Sequence, residues 1–350
     1  MPAQGPIAAA ARRPSGAPRR TVGGPAPRAA WLGGTLLLTL GALPTALLLA
    51  PAVGSAPGPA LGGLLFLGSC AHVAGTGWFY AVPEVRRQLG ARRGRYVTAP
   101  LALVAGSAVL AGSLPQRPFE LLLLLPYFGW QFLHFQQQNR NLAGLASAAY
   151  GSGPLRRGER RALTAAGIAG ICGLISHPAL LRLADAPRLG AAFPLAAAGY
   201  ALAVGYGVVQ LTRRAPGDRR AAASGLYLMT LLFFLPVFLF QSPFTAVAAL
   251  VLAHGFQYLL ILGLVAGGGG GPRQARLASL AVLLAVCLGL GLLLDLASRL
   301  HTGAQALDRA GYGAYLGASM AHFVVDAGLW RPREEFPRGF LARRLPYLLG

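Results

Sequence analysis

The sequence predicts an all-α membrane protein, a polytopic bundle of about ten transmembrane helices with both termini cytoplasmic. Three observations predict it. The 350 residues are 55% hydrophobic, with a mean hydropathy of +0.53. Only 12% are charged, about half the share usual in soluble domains. Several apolar stretches reach the ~20 residues that a helix needs to cross a bilayer.

Taken in order, residues 1–30 are basic and rich in Pro, Gly and Ala, the composition of a disordered cytoplasmic tail. The apolar segment that follows lacks a convincing cleavage site and reads as a retained first span. Spans are expected at 31–51, 60–82, 97–114, 119–138, 162–184, 189–212, 221–240, 243–265, 277–297 and 312–330. Residues 331–350 form a basic cytoplasmic tail. The "PQRP" between the third and fourth spans and the "QSP" between the seventh and eighth read as tight hairpins, because proline stops a helix and fits a turn. "AGGGGGP", 266–272, reads as a flexible linker on the inner side. It has no strand before it and so does not match a phosphate-cradling loop.

Charge tests this division. The chain has no lysine, so its 31 basic residues are all arginine; with the abundant Ala, Gly and Pro this points to a GC-rich bacterial genome. Only Arg117, Arg182, Arg188, Arg299 and Arg309 fall in outer segments, and every other arginine falls in an inner one. That alternation is the positive-inside pattern, and one missed span would scramble it downstream. It places the protein in the bacterial cytoplasmic (inner) membrane, and it explains the net charge of +21 without nucleic acid. Cys70, Cys172 and Cys287 lie in separate apolar stretches and read as small packing residues. Cys70, two before His72, is a further candidate ligand.

His177 and His301 lie toward the outer side. His72, His134, His254 and His322 share an unusual placement: each is on an even-numbered span, so all four helices run from outside to inside, and each lies between the middle and the inner end. His322 is nine residues, or about 13 Å of helix, from Arg331. Each also has polar company three or four residues on, hence on its own helix face. Thr76 follows His72, Gln137 and Gln138 follow His134, Gln257 and Tyr258 follow His254, and Asp326 follows His322. One such histidine reads as hydrogen-bonding glue between helices. Four at one depth beside an acid read as a functional site, because ionisable groups inside a membrane are costly unless partnered.

The expected site is therefore a metal centre with His72, His134, His254, His322 and Asp326 as ligands. Asp326 can alternatively orient a ligand or pair with Arg331, five residues on. Gln137, Gln257, Tyr258 and Asp326 are the candidate catalytic and substrate-contacting groups. Non-haem iron suits the donor set, and zinc or copper is also compatible. Haem clamped between histidines is the alternative, with Gly75, Gly77 and Gly255 allowing a macrocycle to approach. A third reading is a small-molecule transporter.

These four histidines resemble the ligand set of the Brp/Blh membrane carotenoid-cleaving dioxygenases, a family that holds iron on four histidines from several helices. The resemblance implies a helical bundle and oxygen chemistry on a lipophilic molecule. The closely spaced histidine pair of that family is absent, and so are the dense HxxxH and HxxHH boxes of membrane desaturases. The expected activity is oxidation or rearrangement of a lipophilic or amphipathic small molecule within the bilayer. Secondary metabolism offers redox-neutral examples, such as conversion of hydroxylamine esters to N–N bonded products.

Overall fold

The computed structural model describes residues 25–52, 55–183, 190–269, 271–303, 305–331 and 334–349, and over them the chain is helical, without strands. The expected tail falls mostly outside this range. Its residues 1–24 are not among the described residues, whereas 25–30 are already helix. Arg188, Gly270 of the 266–272 linker and Arg333 of the 331–350 tail also lie outside them.

Six helices among the described residues are long and apolar enough to cross a membrane. They are α1 (Pro25–Leu49, its apolar part Ala26–Leu49), α2 (Pro59–Ala81), α4 (Gly94–Ser113), α7 (Ala192–Thr212), α10 (Pro243–Gly267) and α11 (Arg273–Arg299). Between α2 and α4 lies the short, polar α3 (Pro83–Ala91). The other four expected spans are helical but less apolar or broken. The helix over 116–149, α5, carries His134, Gln136, Gln137, Gln138 and Asn139 at its centre. α6 (Arg157–Ser176) begins with four charged residues in five. The 221–240 stretch is split at Leu232–Phe234 into α8 (Ala221–Leu231) and α9 (Leu235–Leu239), with Pro236 opening the second piece. α12 (Ala306–Leu329) carries His322 and Asp326. Two of these helices owe their lower apolarity to the polar residues that they turn inward. Residues 335–349 form α13 (Glu335–Arg344) and α14 (Pro346–Leu349), with Phe340, Leu341, Leu345 and Leu348 buried against the bundle.

Proline begins several of these helices. α2, α3 and α10 each have one at the first position, where the missing N–H is no loss. Small residues then let helices touch. The Gly255 Cα faces the Gly68 carbonyl so closely that any Cβ there would overlap it, which seats α10 on α2. Gly313 and Gly317 likewise lay α12 along the Ser107 and Leu103 carbonyls of α4. These contacts account for the glycine at 255, and Gly75 packs on Leu262 and Cys287. Neither is needed for a macrocycle. α2 packs on α10, α10 on α5, α5 on α12 and α12 on α2, so the four close a ring.

At the arginine-rich end, the turn after α5 uses Gly151 and Gly153 in left-handed conformations, with φ of 72° and 70°. A buried ion pair holds this turn. Arg214 Nε and Nη2 donate to the two Glu159 carboxylate oxygens at 2.5 and 2.6 Å, while Nη1 and Nη2 reach the Ser152 and Pro154 carbonyls. Both side chains are buried. Removing one partner of such a pair leaves the other charge uncompensated, at a cost of about 3–5 kcal/mol. Glu159→Gln is therefore expected to lower stability by that amount and to speed hydrogen exchange across 150–156 first. Unchanged exchange there would contradict the assignment.

Candidate metal centre

The four histidines His72, His134, His254 and His322 converge. His72 follows a π-helical turn, Leu67–Ala71, that interrupts the regular ladder of α2; such turns often mark functional positions. His134 comes from α5, His254 from α10 and His322 from α12. Their rings form a closed circuit. Centroid separations are 5.1 Å for His72–His254, 5.1 Å for His254–His134, 5.0 Å for His134–His322 and 5.1 Å for His322–His72. All four are buried, none more than 7% exposed.

Those edges set the fit to an ion. Taken as a square, the centroids lie about 3.6 Å from the middle, and an ion bonded to ring nitrogens at about 2 Å needs them roughly 3.2 Å away. A shift of a few tenths of an ångström closes that gap. The His72, His254 and His322 donor atoms already lie within 4.8 Å of one another, as do those of His134, His322 and Asp326.

The unsatisfied polar atoms agree. Nε2 of all four rings is buried without a hydrogen-bond partner, and so is Nδ1 of His72 and His254. Buried ring nitrogens are ordinarily paired, since an orphan costs about 1–3 kcal/mol. Four in one place are what a site built around an additional atom looks like.

The second nitrogen of His322 shows how the site is aimed. Its Nδ1 is 2.5 Å from Thr76 Oγ1 and 3.8 Å from Asp326 Oδ2. Thr76 Oγ1 is also 2.9 Å from the Tyr258 hydroxyl, and that hydroxyl donates to Asp326 Oδ1 at 3.0 Å. Asp326 thus lies on the side of His322 away from the free Nε2. Thr76 bridges the two, so the carboxylate reaches the ring through a hydroxyl, in the manner of the outer groups that orient ligating histidines. The expected alternative, an ion pair between Asp326 and Arg331, does not form: Arg331 meets Glu334 at 3.4 Å.

The other expected residues divide. Tyr258 is at the site, with its ring 5.1 Å from His322 and 5.7 Å from His72. Gln257 turns aside, donating to Thr39 of α1 at 2.6 Å and accepting from Gln138. Gln137 lines a cavity next to the cluster. Cys70 packs with Val73, Ala74 and Leu294 rather than with the imidazoles. His177 meets Phe193, and His301 Nδ1 lies 3.0 Å from the Ser298 carbonyl.

Two phenylalanines went unread in the sequence. Phe135 stacks on His254 at 3.8 Å, and Phe323 stacks on His134 at 4.6 Å. Each follows a site histidine and serves the next one round the circuit. The repeated His-Phe dipeptide, 134–135 and 322–323, was the available signal. The cavity was equally unforeseen. It measures about 800 Å³ and is lined by His134, Tyr258 and Asp326, by Leu142, Leu145 and Ile261, and by Arg140 and Arg160.

Comparison of the chain with protein-family models, curated proteins and solved structures finds no match.

Proposed function

We propose that the chain is an integral membrane metalloenzyme that oxidises or rearranges an amphipathic small molecule at a non-haem metal held by His72, His134, His254 and His322. The observation that carries this reading is the closed circuit of four buried imidazoles with unpartnered Nε2 atoms. An all-nitrogen donor set suits iron, copper or zinc, and iron is favoured here because the cavity beside the cluster suits a lipophilic molecule as the substrate of an oxidation. A haem is disfavoured by the same distances, because rings 5.0–5.1 Å apart and capped by Phe135 and Phe323 leave no slot for a macrocycle.

A bound iron would supply one-electron and O₂ chemistry, or Lewis acidity for a redox-neutral rearrangement. The chain's own groups supply the rest. The Tyr258 hydroxyl and Asp326 carboxylate form a hydrogen-bonded pair at the deep end of the cavity, where they can hold or move a substrate proton. Gln137 and Gln138 offer amides along the wall. The surrounding helices exclude bulk water.

In this reading all ten helical segments belong to the membrane domain, the arginine-rich end is cytoplasmic, both termini face it, and the membrane is a bacterial inner membrane. The test needs no substrate. Protein loaded anaerobically with ferrous iron is exposed to nitric oxide and examined by electron paramagnetic resonance. A high-spin ferrous nitrosyl signal that disappears in His322→Ala supports the assignment, because the gas needs an open position on histidine-held iron. Loaded iron that never binds the gas would contradict an oxygen-using centre.

A further inference from the structure

The cavity has a chemically uneven lining. It meets the histidine cluster at His134, its walls are largely apolar, and its lining includes Arg140 and Arg160. Among the described residues, neither arginine is in an ion pair. The carboxylates of that region are already committed, Glu159 to Arg214 at 2.5 Å and Asp218 to Arg156 at 3.4 Å. Arg160 is exposed and held by one donor on the Leu155 carbonyl at 2.8 Å. Arg140 is half-buried. The fold thus presents two guanidinium groups, with donor capacity to spare, to an apolar cavity. Guanidinium is the side chain best matched to carboxylate and phosphate.

We infer that Arg140 and Arg160 form an anion subsite that takes the carboxylate or phosphate end of an amphipathic molecule while its apolar body lies in the cavity toward His134. This rests on the reading of the cavity as the approach to the metal centre. Arg140 is six residues beyond His134 on α5, an axial rise of about 9 Å. The occupant therefore carries its charge about that far from its reacting end. Arg157 and Arg161, which neighbour Arg160 on α6, are not in the cavity lining and serve as controls.

The test uses ω-bromoundecanoate and ω-bromoundecanol, which share an apolar body and differ in charge. Binding is read in nonionic detergent as bromine quenching of Trp330, which lines the cavity; Trp330→Phe identifies the signal. The wild type is expected to bind the acid at least about 10-fold more tightly than the alcohol, or about 1.4 kcal/mol. Arg140→Gln/Arg160→Gln is expected to erase that preference by weakening the acid alone, and Arg157→Gln/Arg161→Gln to retain it. Equal affinities in the wild type, or equal loss in both double variants, would overturn the subsite. Competition with phosphatidylglycerol identifies the source of the anion: displacement assigns it to a membrane lipid headgroup, and its absence to a single-chain molecule. The same titration on metal-depleted and metal-loaded protein separates this inference from the proposed function. Preference without metal binding would sink only the metal reading, and metal binding without preference only the subsite.

Discussion

Replacing His254 by leucine is expected to abolish metal binding and to leave the metal-free protein as stable as the wild type, or more so. Two effects work in opposite directions here. Without an ion, His254 buries two ring nitrogens that have no partner, and each such group costs about 1–3 kcal/mol. Leucine has a similar volume and nothing to satisfy. With an ion in 1,000-fold excess over its dissociation constant, the wild type gains about 4 kcal/mol from binding, and His254→Leu gains nothing. Thermal unfolding of metal-depleted and metal-loaded samples reads both. If the imidazoles were hydrogen-bonding glue between helices, the variant would instead lose about a kcal/mol or more without metal, and the wild type would not respond to the ion.

Asp326→Asn is expected to weaken metal affinity about 10- to 100-fold, the range usual for groups that orient a ligating histidine. The geometry places its carboxylate against Thr76 and Tyr258 on the far side of His322. Thr76→Val, which removes the hydroxyl 2.5 Å from His322 Nδ1, is expected to act in the same direction. Because both act through His322, their effects are expected to be less than additive. Competition with a chelator of known affinity measures them. A loss from Asp326→Asn as complete as that from His322→Ala would make Asp326 a ligand.

Much of this site could be read from residue type and helical spacing. Polar company three or four residues on marked the four histidines, and the i, i+4 spacing put His322 and Asp326 on one face. The residues that decide what Asp326 does come from other helices. Thr76 on α2 bridges it to His322, and Tyr258 on α10 donates to it. No local spacing shows which of several polar groups will meet across helices. Gln257 illustrates the same limit: it shares a face with His254 by spacing, yet Thr39 on α1 captures it. The cavity was hidden for another reason. Its walls combine α5 and α12 with the Gly151–Leu155 turn and the C-terminal residues Leu341, Leu345 and Leu348. That last segment reads as a basic tail because its few apolar residues are too scattered to show a periodic stripe. The four less apolar helices show how hydropathy blurs at such a site, since α5 and α12 are polar where they face the cluster.

X-ray absorption spectroscopy of the metal-loaded protein tests the central claim most directly, because it counts imidazoles around the ion itself. The account predicts one ion per chain with nitrogen neighbours at about 2.0–2.1 Å and outer-shell scattering from four imidazoles, falling by one in each single His→Ala variant that still binds. A centre with sulfur or porphyrin neighbours, with two or fewer imidazoles, or no ion retained by the wild type would contradict it.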